Sequence, residues 1–457
     1  MEEKLTPAQA RVLEQISPGI VSKSMTTGYN HGGTDQFNGQ ALRRQSLAND
    51  LKNLTYGNSN FTLFTDIGRR QADSTVEEYT VRTERGQSGH SAFTSELDIA
   101  VVSDPTIERR VLRMKFISST KQASIASGLV NNTVDPMTEL TEDAMVTNAQ
   151  TIEQAMFYGD SNLSAQGAGL GLEFDGLANL IDKENILDAR GEALSETLLN
   201  KASTVVTRGF GSATDAYMPI GVYAEFMNSQ LGRQRIIQAT DVGKSGVRLS
   251  QFVSASGNIN LHGSVVMDRD QILREQAVQN VNAPAQPKVA VAVADGKGTF
   301  RPEDIATHTY KVVTRSTGGE SIPSEAITAV VAKDVSEVTL TITPQALYQA
   351  QPSHVVIYRK GLNGENFYKV GTVPFSELKA GVLKFVDTNS VIPETSSIFV
   401  GELKDSTISL YELLSMTRVD LARINASTTF TVLWYGALAL FAPKRWVQVK
   451  NVKTNVL

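Results

Sequence analysis

Asp135–Asp160 reads DPMTELTEDAMVTNAQTIEQAMFYGD. Proline suits a first helical position, where its missing amide hydrogen has no partner to lose. Met145, Ala149, Ile152 and Met156 recur at i, i+4, i+7 and i+11, so they share one helix face. Gly159 stands where a left-handed cap asks for glycine. The stretch predicts one long helix with an apolar stripe, Met145 and Met156 being core residues. Glu142 and Asp143 sit toward the positive end of its dipole, where acids are favoured.

On the N-terminal side the pattern changes to a period of two. Val76–Thr83 is rich in β-formers, and Leu112, Met114 and Phe116 alternate with Arg113 and Lys115. Alternation of this kind sends apolar groups to one side and charge to the other. Gly86–Ser103 lies between the limbs and is rich in Gly, Ser and Asp. The expectation is a two-stranded ribbon with a broad tip. A ribbon cannot bury both faces within one subunit, so a neighbour is expected beneath it. Residues 1–60 are polar; Thr26–Gln40 (TTGYNHGGTDQFNGQ) reads as an extended arm and Ala41–Leu54 as a short helix.

On the C-terminal side a glycine-rich stretch runs to Phe174-Asp175-Gly176-Leu177. Leu198, Ala202 and Val205 suggest a helix, Gly221–Leu231 another, and Ile259–Asp268 a strand, a turn and a strand. Asn282–Pro287 (NAPAQP) reads as a linker. Roughly seven short strands then follow at the spacing of a β-sandwich. They are Lys288–Val293, His308–Thr314, Glu325–Ala332, Glu337–Thr343, His354–Lys360, Phe367–Val373 and Leu383–Asp387. Beyond Gly401, Leu410–Leu414 predicts a short helix, and Leu421–Leu440 and Arg445–Val452 predict strands. The simplest account is an α+β body interrupted by a sandwich inserted at residues 283–400.

Composition bounds the function. The 457 residues carry a net charge of −5 with no long basic run, so the basic face of a protein that wraps nucleic acid is missing. There are no cysteines, which excludes disulfides and thiolate chemistry and fits a reducing cytoplasm. The start MEEKL lacks the apolar core of a signal peptide. The longest apolar run, Phe430–Ala442, spans 13 positions, too few for a membrane helix of about 20.

No catalytic motif survives inspection. Gly167, Gly169 and Gly171 follow a helix, whereas a dinucleotide loop opens one. Val242–Gly246 (VGKSG) has Gln238 where a phosphate loop needs glycine, leaving Lys244 a loop residue. Gly86–His90 (GQSGH) has His90 in place of the last glycine of a nucleophile elbow, so Ser88 is read as a loop serine. His31, His90, His262, His308 and His354 form no local ligand pair. Glu77-Glu78, Glu142-Asp143, Asp160 and Asp175 are candidate acid pairs by type alone. The expectation is no catalytic residue, no cofactor and no metal.

The order of parts, arm, ribbon, striped helix ending in Gly-Asp, glycine-rich turn, mixed domain and C-terminal strands, resembles tailed-phage major capsid proteins of the Hong Kong ninety-seven type. Ser119–Asn132, Ala155–Asp160, Leu172–Asp182, Gly209–Gly221 and Ile424–Arg445 are similar to segments of capsid proteins of Twort-like myophages of Gram-positive hosts. Tyr310–Glu325 and Val355–Arg359 resemble immunoglobulin or fibronectin type III domains. The resemblance implies an N-terminal arm (1–60), an extended loop (61–120), a spine helix within peripheral and axial domains (121–282 and 401–457) and an inserted immunoglobulin-like sandwich (283–400). It implies a subunit that forms hexamers and pentamers of an icosahedral head around double-stranded DNA. Scaffolding, portal and decoration proteins are its further implied partners, and no membrane is involved. The implied place is the virion capsid, assembled in the bacterial host cytoplasm. Two other classes stay open on residues alone: a tail or adhesion protein of the virion, and a carbohydrate-active enzyme with an accessory sandwich.

Overall fold

The long helix forms over Pro136–Tyr158, as its proline, stripe and glycine predict. Its stripe is rotated from the predicted one. Ala144, Asn148, Ala149, Ile152, Glu153, Met156 and Phe157 are buried, whereas Met145 is 36% exposed. The reason is tertiary: Ala144 packs on Phe430 and Val432, which turns Met145 outward. Gly159 ends the helix, but not as a left-handed cap. A Cβ there would lie 2.3 Å from the Phe174 carbonyl oxygen and 2.6 Å from that of Ala155. Glycine is required because the returning chain crosses the helix end at backbone contact, and Gly176 N–H donates to the Gly159 carbonyl at 2.9 Å.

This computed structural model describes residues 61–84, 93, 95–97, 99, 104–130, 135–167, 169, 171–230, 249–274, 281–345, 351–362, 364–423 and 425–454. The expected arm, the Ala41–Leu54 helix, His31, Ser88, His90, Lys244 and most of the ribbon tip lie outside them.

The helix lies on a four-stranded sheet ordered Arg69–Gln71, Ile408–Asp420, Ser427–Leu440, Lys115–Ser124. Ile408–Asp420 is strand throughout, so the helix expected over Leu410–Leu414 is not formed. Leu410, Leu413 and Leu414 have helical spacing, but the segment is paired on both sides, Leu410 with Arg69 and with Leu438. A register shift between Glu412 and Leu414 absorbs the two adjacent leucines. The predicted Leu421–Leu440 strand starts only at Ser427. Central packing joins Leu63, Met114, Ile152, Met156, Phe157, Phe174, Trp434 and Trp446.

A six-stranded sheet follows, ordered Ile186–Asp188, Trp446–Lys453, Thr395–Gly401, Asp215–Pro219, Gly257–Ser264, Gln251–Ser254. Helices Glu196–Arg208 and Ile220–Gln230 occupy the predicted places. They bury Leu199, Val206, Val222 and Phe226 against Ile259, Ile398, Val400 and Val447. Gly257–Ser264 runs unbroken through Gly263, so the turn expected inside Ile259–Asp268 falls after the strand. Parallel pairing with Met218 holds Gly263 extended.

Each of the seven windows between Lys288 and Asp387 contains a strand. Strands Lys288–Asp295, Ser336–Thr343 and Leu383–Asp387 form one sheet; Thr307–Ser316, Pro352–Lys360 and Phe367–Pro374 run side by side in another, with Phe367–Pro374 at its edge. The two share a core of Phe300, Tyr310, Val312, Val338, Leu340, Val355, Ile357 and Leu383. The second sheet also has a buried outer face, where Val313, Val356 and Tyr358 pack with Leu273. Leu273 N–H donates to the Phe367 carbonyl and Lys369 N–H to that of Gln271, both at 2.8 Å. This unit is therefore bonded along one strand edge to residues 271–273.

Candidate assembly surface

The ribbon consists of Val76–Glu84 and Thr106–Arg113, paired antiparallel and bonded to no third strand among the described residues. Directly opposed residues share a face. Glu77 with Leu112, Tyr79 with Arg110 and Val81 with Glu108 form the inner face, which includes half-buried Leu112, Tyr79 and Val81. Tyr79 meets Phe441 edge-on at 5.0 Å. Met114, at the ribbon base, is buried in the central core.

The outer face carries Val76, Glu78, Thr80, Arg82, Ile107, Arg109, Val111 and Arg113, all exposed. Val76 is 45%, Val111 52% and Ile107 57% exposed. Burying such branched side chains contributes about 1.5–3 kcal/mol each when complete, which the lone chain forgoes. The face holds three arginines against one acid, with Arg109 donating to Glu78 at 2.9 Å.

The alternation predicted for Leu112, Met114 and Phe116 breaks at the last member. Phe116 is 62% exposed and meets Tyr435 edge-on at 4.7 Å. At Met114 the chain leaves the ribbon and Lys115 pairs with Gly436 instead, which reverses the side on which odd and even residues fall. Arg109, Arg110, Arg113 and Lys115 stand close together in the sequence, as cations that could all face a neighbour's acids. Only Arg109 and Arg113 keep that place. Arg110 lies on the inner face, 3.7 Å from Glu108, and the Lys115 ammonium donates to the Gly171 carbonyl. Burial lowers the Lys115 pKa, opposed by nearby Asp175. Lys121 is held by Asp143 at 2.6 Å.

The other polar candidates have local duties. Glu77 accepts from Asp73 and Ser74 amides, and Asp175 from the Ser161 amide and hydroxyl. Asp160 accepts from Asn162. Gly171 would place a Cβ 2.5 Å from the Leu163 carbonyl, so that glycine serves a tight chain crossing. His262 lies 3.0 Å from Asp215 and 3.5 Å from Asp66. His308 bonds the Asp304 carbonyl at 2.7 Å. His354 is buried, which pushes its pKa down to about 3. Among the described residues no three metal-ligating side chains converge, and no helix is long and apolar enough to cross a membrane.

Sequence reasoning missed two buried polar systems. Glu153 is fully buried on the long helix and accepts from Thr62 N–H (3.1 Å), Thr62 Oγ1 (2.9 Å) and Ser264 Oγ (3.2 Å). Arg359, also fully buried, donates to Asp387 at 2.7 Å and Asn389 at 2.6 Å. A charged residue inside an apolar run was the available signal in both.

Comparison with known proteins agrees with this picture of a subunit whose surface is shaped for partners. Residues 25–274 match the model of the SU10 major capsid protein, and the chain belongs to that family of phage shell proteins. The major capsid protein of Staphylococcus phage S25-3 is 45% identical over 458 residues, covering 99% of each chain. A protein of Enterococcus phage phiEF24C described in the same terms is 48% identical, covering 99% of this chain and 97% of its own. Among solved structures, that of Gordonia phage Cozz covers 94% of this chain and 98% of its own at 10% identity, with a TM-score of 0.47. The resemblance to capsid proteins of phages of Gram-positive hosts is thereby established. The chain is a structural protein of the capsid, not an enzyme.

Proposed function

We propose that the chain assembles with copies of itself into hexamers and pentamers of an icosahedral head that encloses double-stranded DNA. The observation that carries this reading is the ribbon: among the described residues it is two strands without a third, one face on the body and the other uncovered. Such a face acquires its burial from a neighbour, and closed symmetry repeats the contact around the shell. The layout follows the Hong Kong ninety-seven type, with residues 1–60 as arm, 61–120 as extended loop, and 121–282 with 401–457 as peripheral and axial domains. Residues 283–400 form an inserted immunoglobulin or fibronectin type III-like sandwich, a reading supported by two sheets around a separate core. Scaffolding, portal and decoration proteins are further partners, and packaged DNA lies inside without sequence-specific contact. The head is built in the host cytoplasm.

The shell is held without covalent links. Gln71–Arg110 contains no lysine and no asparagine, and a guanidinium is a poor nucleophile because it stays protonated. Lys115 and Lys121, at the ribbon base, are engaged within their own chain. Boiling mature particles in detergent is expected to release one monomer band; a covalent ladder would refute this. Deleting Gly86–Ser103 tests the ribbon. The expected product is a soluble subunit that forms no closed shells by electron microscopy, and normal shells would overturn the reading.

A further inference from the structure

The two-sheet unit between residues 283 and 400 has one edge strand of unusual make-up. Lys288–Asp295 reads KVAVAVAD and pairs antiparallel with Ser336–Thr343 without a register shift. It is the last strand of its sheet. Alternate amides and carbonyls therefore point away from Ser336–Thr343, and among the described residues no backbone bond meets them on that side. Soluble proteins blunt such an edge with a proline, a bulge or a charge, because it is a template for another strand. Val289–Ala294 has none of the three.

The side chains are left open as well. Val289, Val291 and Val293 stand on the core side, opposite Ile342, Leu340 and Val338. Those three partners are fully buried, whereas Val289 and Val291 are half-buried and Val293 is 40% exposed. Ala290, Ala292 and Ala294 line the outer side and are exposed. A strand added at this edge supplies backbone partners and completes the cover of the valines in one step.

Resting on the reading of the chain as a self-assembling shell subunit, we infer that the added strand is Lys288–Asp295 of a second copy, paired antiparallel about a two-fold axis. An axis normal to the sheet keeps core side beside core side, whereas parallel pairing would turn one unit over. Opposed residues share a face, so the axis passes through a residue. With the axis at Val291, Val289 meets Val293 and Ala290 meets Ala292, like opposite like. Lys288 then opposes Ala294, whose neighbour on the next strand is half-buried Glu337. At two strand spacings the Cα atoms of Lys288 and Glu337 are about 10 Å apart, within the combined reach of the two side chains across a methyl group. The two-fold makes this ion pair twice. Self-complementary charge selects a second copy over an arbitrary strand, and the contact is isologous.

The test is cross-linking in shells of the full chain. The chain has no cysteine, so Val291→Cys supplies one thiol per subunit, set opposite itself on the axis at a separation that a disulfide spans. Mild oxidation with a copper complex is expected to turn most subunits into a disulfide-linked dimer that a reductant returns to monomer. Ala290→Cys with Ala292→Cys, both exposed, repeats the measurement without touching the core side. Lys384→Cys, exposed on the other edge strand of the same sheet, is the control and is expected to stay monomeric. Adding Ala290→Lys and Ala292→Lys to Val291→Cys sets lysines directly opposite one another, which disfavours pairing; the dimer yield is expected to fall at least tenfold. Monomer alone from both cysteine variants would assign the edge to another occupant and overturn the contact. Equal dimer yields from Val291→Cys and Lys384→Cys, or no loss with the lysines, would overturn it too. Closed shells with free thiols leave self-assembly standing, whereas a wild-type chain that forms no shells by electron microscopy overturns self-assembly and this contact with it.

Discussion

Replacing Glu153 tests how the body of the subunit is held together. This carboxylate is fully buried with no cation bonded to it among the described residues; its acceptor atoms are occupied by the Thr62 amide, the Thr62 hydroxyl and the Ser264 hydroxyl. It thereby pins the chain just ahead of Leu63–Asp66 to the long helix. In Glu153→Ala the Thr62 amide and Ser264 hydroxyl lose their acceptor, each at roughly 1–3 kcal/mol. The vacated volume adds a smaller cavity cost. The expected loss is roughly 3–5 kcal/mol in all. Glu153→Gln keeps the shape and one acceptor, so it costs much less. The two variants also separate by pH. Burial raises the Glu153 pKa above its ordinary value of 4.5, against the hydrogen bonds from Thr62 and Ser264. The folded state thus keeps this proton to higher pH than the unfolded chain does. Its contribution is complete below 4.5 and is lost as pH rises through the raised value. Asp268, raised by burial from 3.8 to about 6, acts in the same direction. Glu153→Gln removes one of these two contributions, so stability falls less steeply with rising pH than in wild type. The assay is urea unfolding of the unassembled subunit at fixed concentration. Emission from Trp434 and Trp446 reports it, since both are fully buried and are the two tryptophans of the chain. An alanine variant within about 0.5 kcal/mol of wild type, inside the range of ordinary surface substitutions, would refute the reasoning. So would an unchanged pH slope in the glutamine variant.

Three further outcomes are expected. Gly159→Ala forces a Cβ to within 2.3 Å of the Phe174 carbonyl oxygen; the backbone must part, and roughly 1–3 kcal/mol is lost, seen as a lower urea midpoint. Arg359→Met strands Asp387, which is 3% exposed, as an unpaired buried charge. It is expected to cost roughly 3–5 kcal/mol in the same titration, whereas Arg359→Met with Asp387→Asn, which removes the charge and keeps an acceptor for the Tyr310 hydroxyl or the Asn389 amide, recovers part of it. The fragment Ala283–Val400, expressed alone, is expected to unfold cooperatively in a thermal scan, and a disordered spectrum would remove that domain boundary.

What the sequence determined was the set of segments with a clear period. Pro136–Tyr158 was legible because proline, a stripe and glycine agree within 25 residues. The strands between Lys288 and Asp387 were legible because Val338, Leu340 and Ile342 alternate with threonines and glycine-rich turns follow. The ribbon was legible for the same reason. Family likeness also sits in local segments. Tertiary structure alone decided the rest. Leu410–Leu414 carries helical spacing, yet Arg69–Gln71 and Ser427–Leu440 flank it and take its backbone hydrogen bonds. Strand preference depends on such partners, here distant in sequence. Met145 shares a predicted stripe with Met156, but the position of Phe430 and Val432 rotates the buried face away from it. Gly159 was read as a cap, while its real constraint is the backbone of residue 174 passing overhead. The outer face of the ribbon became definable only with the register of Val76–Glu84 on Thr106–Arg113. Period and propensity are properties of neighbours along the chain; which face is buried, and which charge is left outward, is set by residues that only folding brings near.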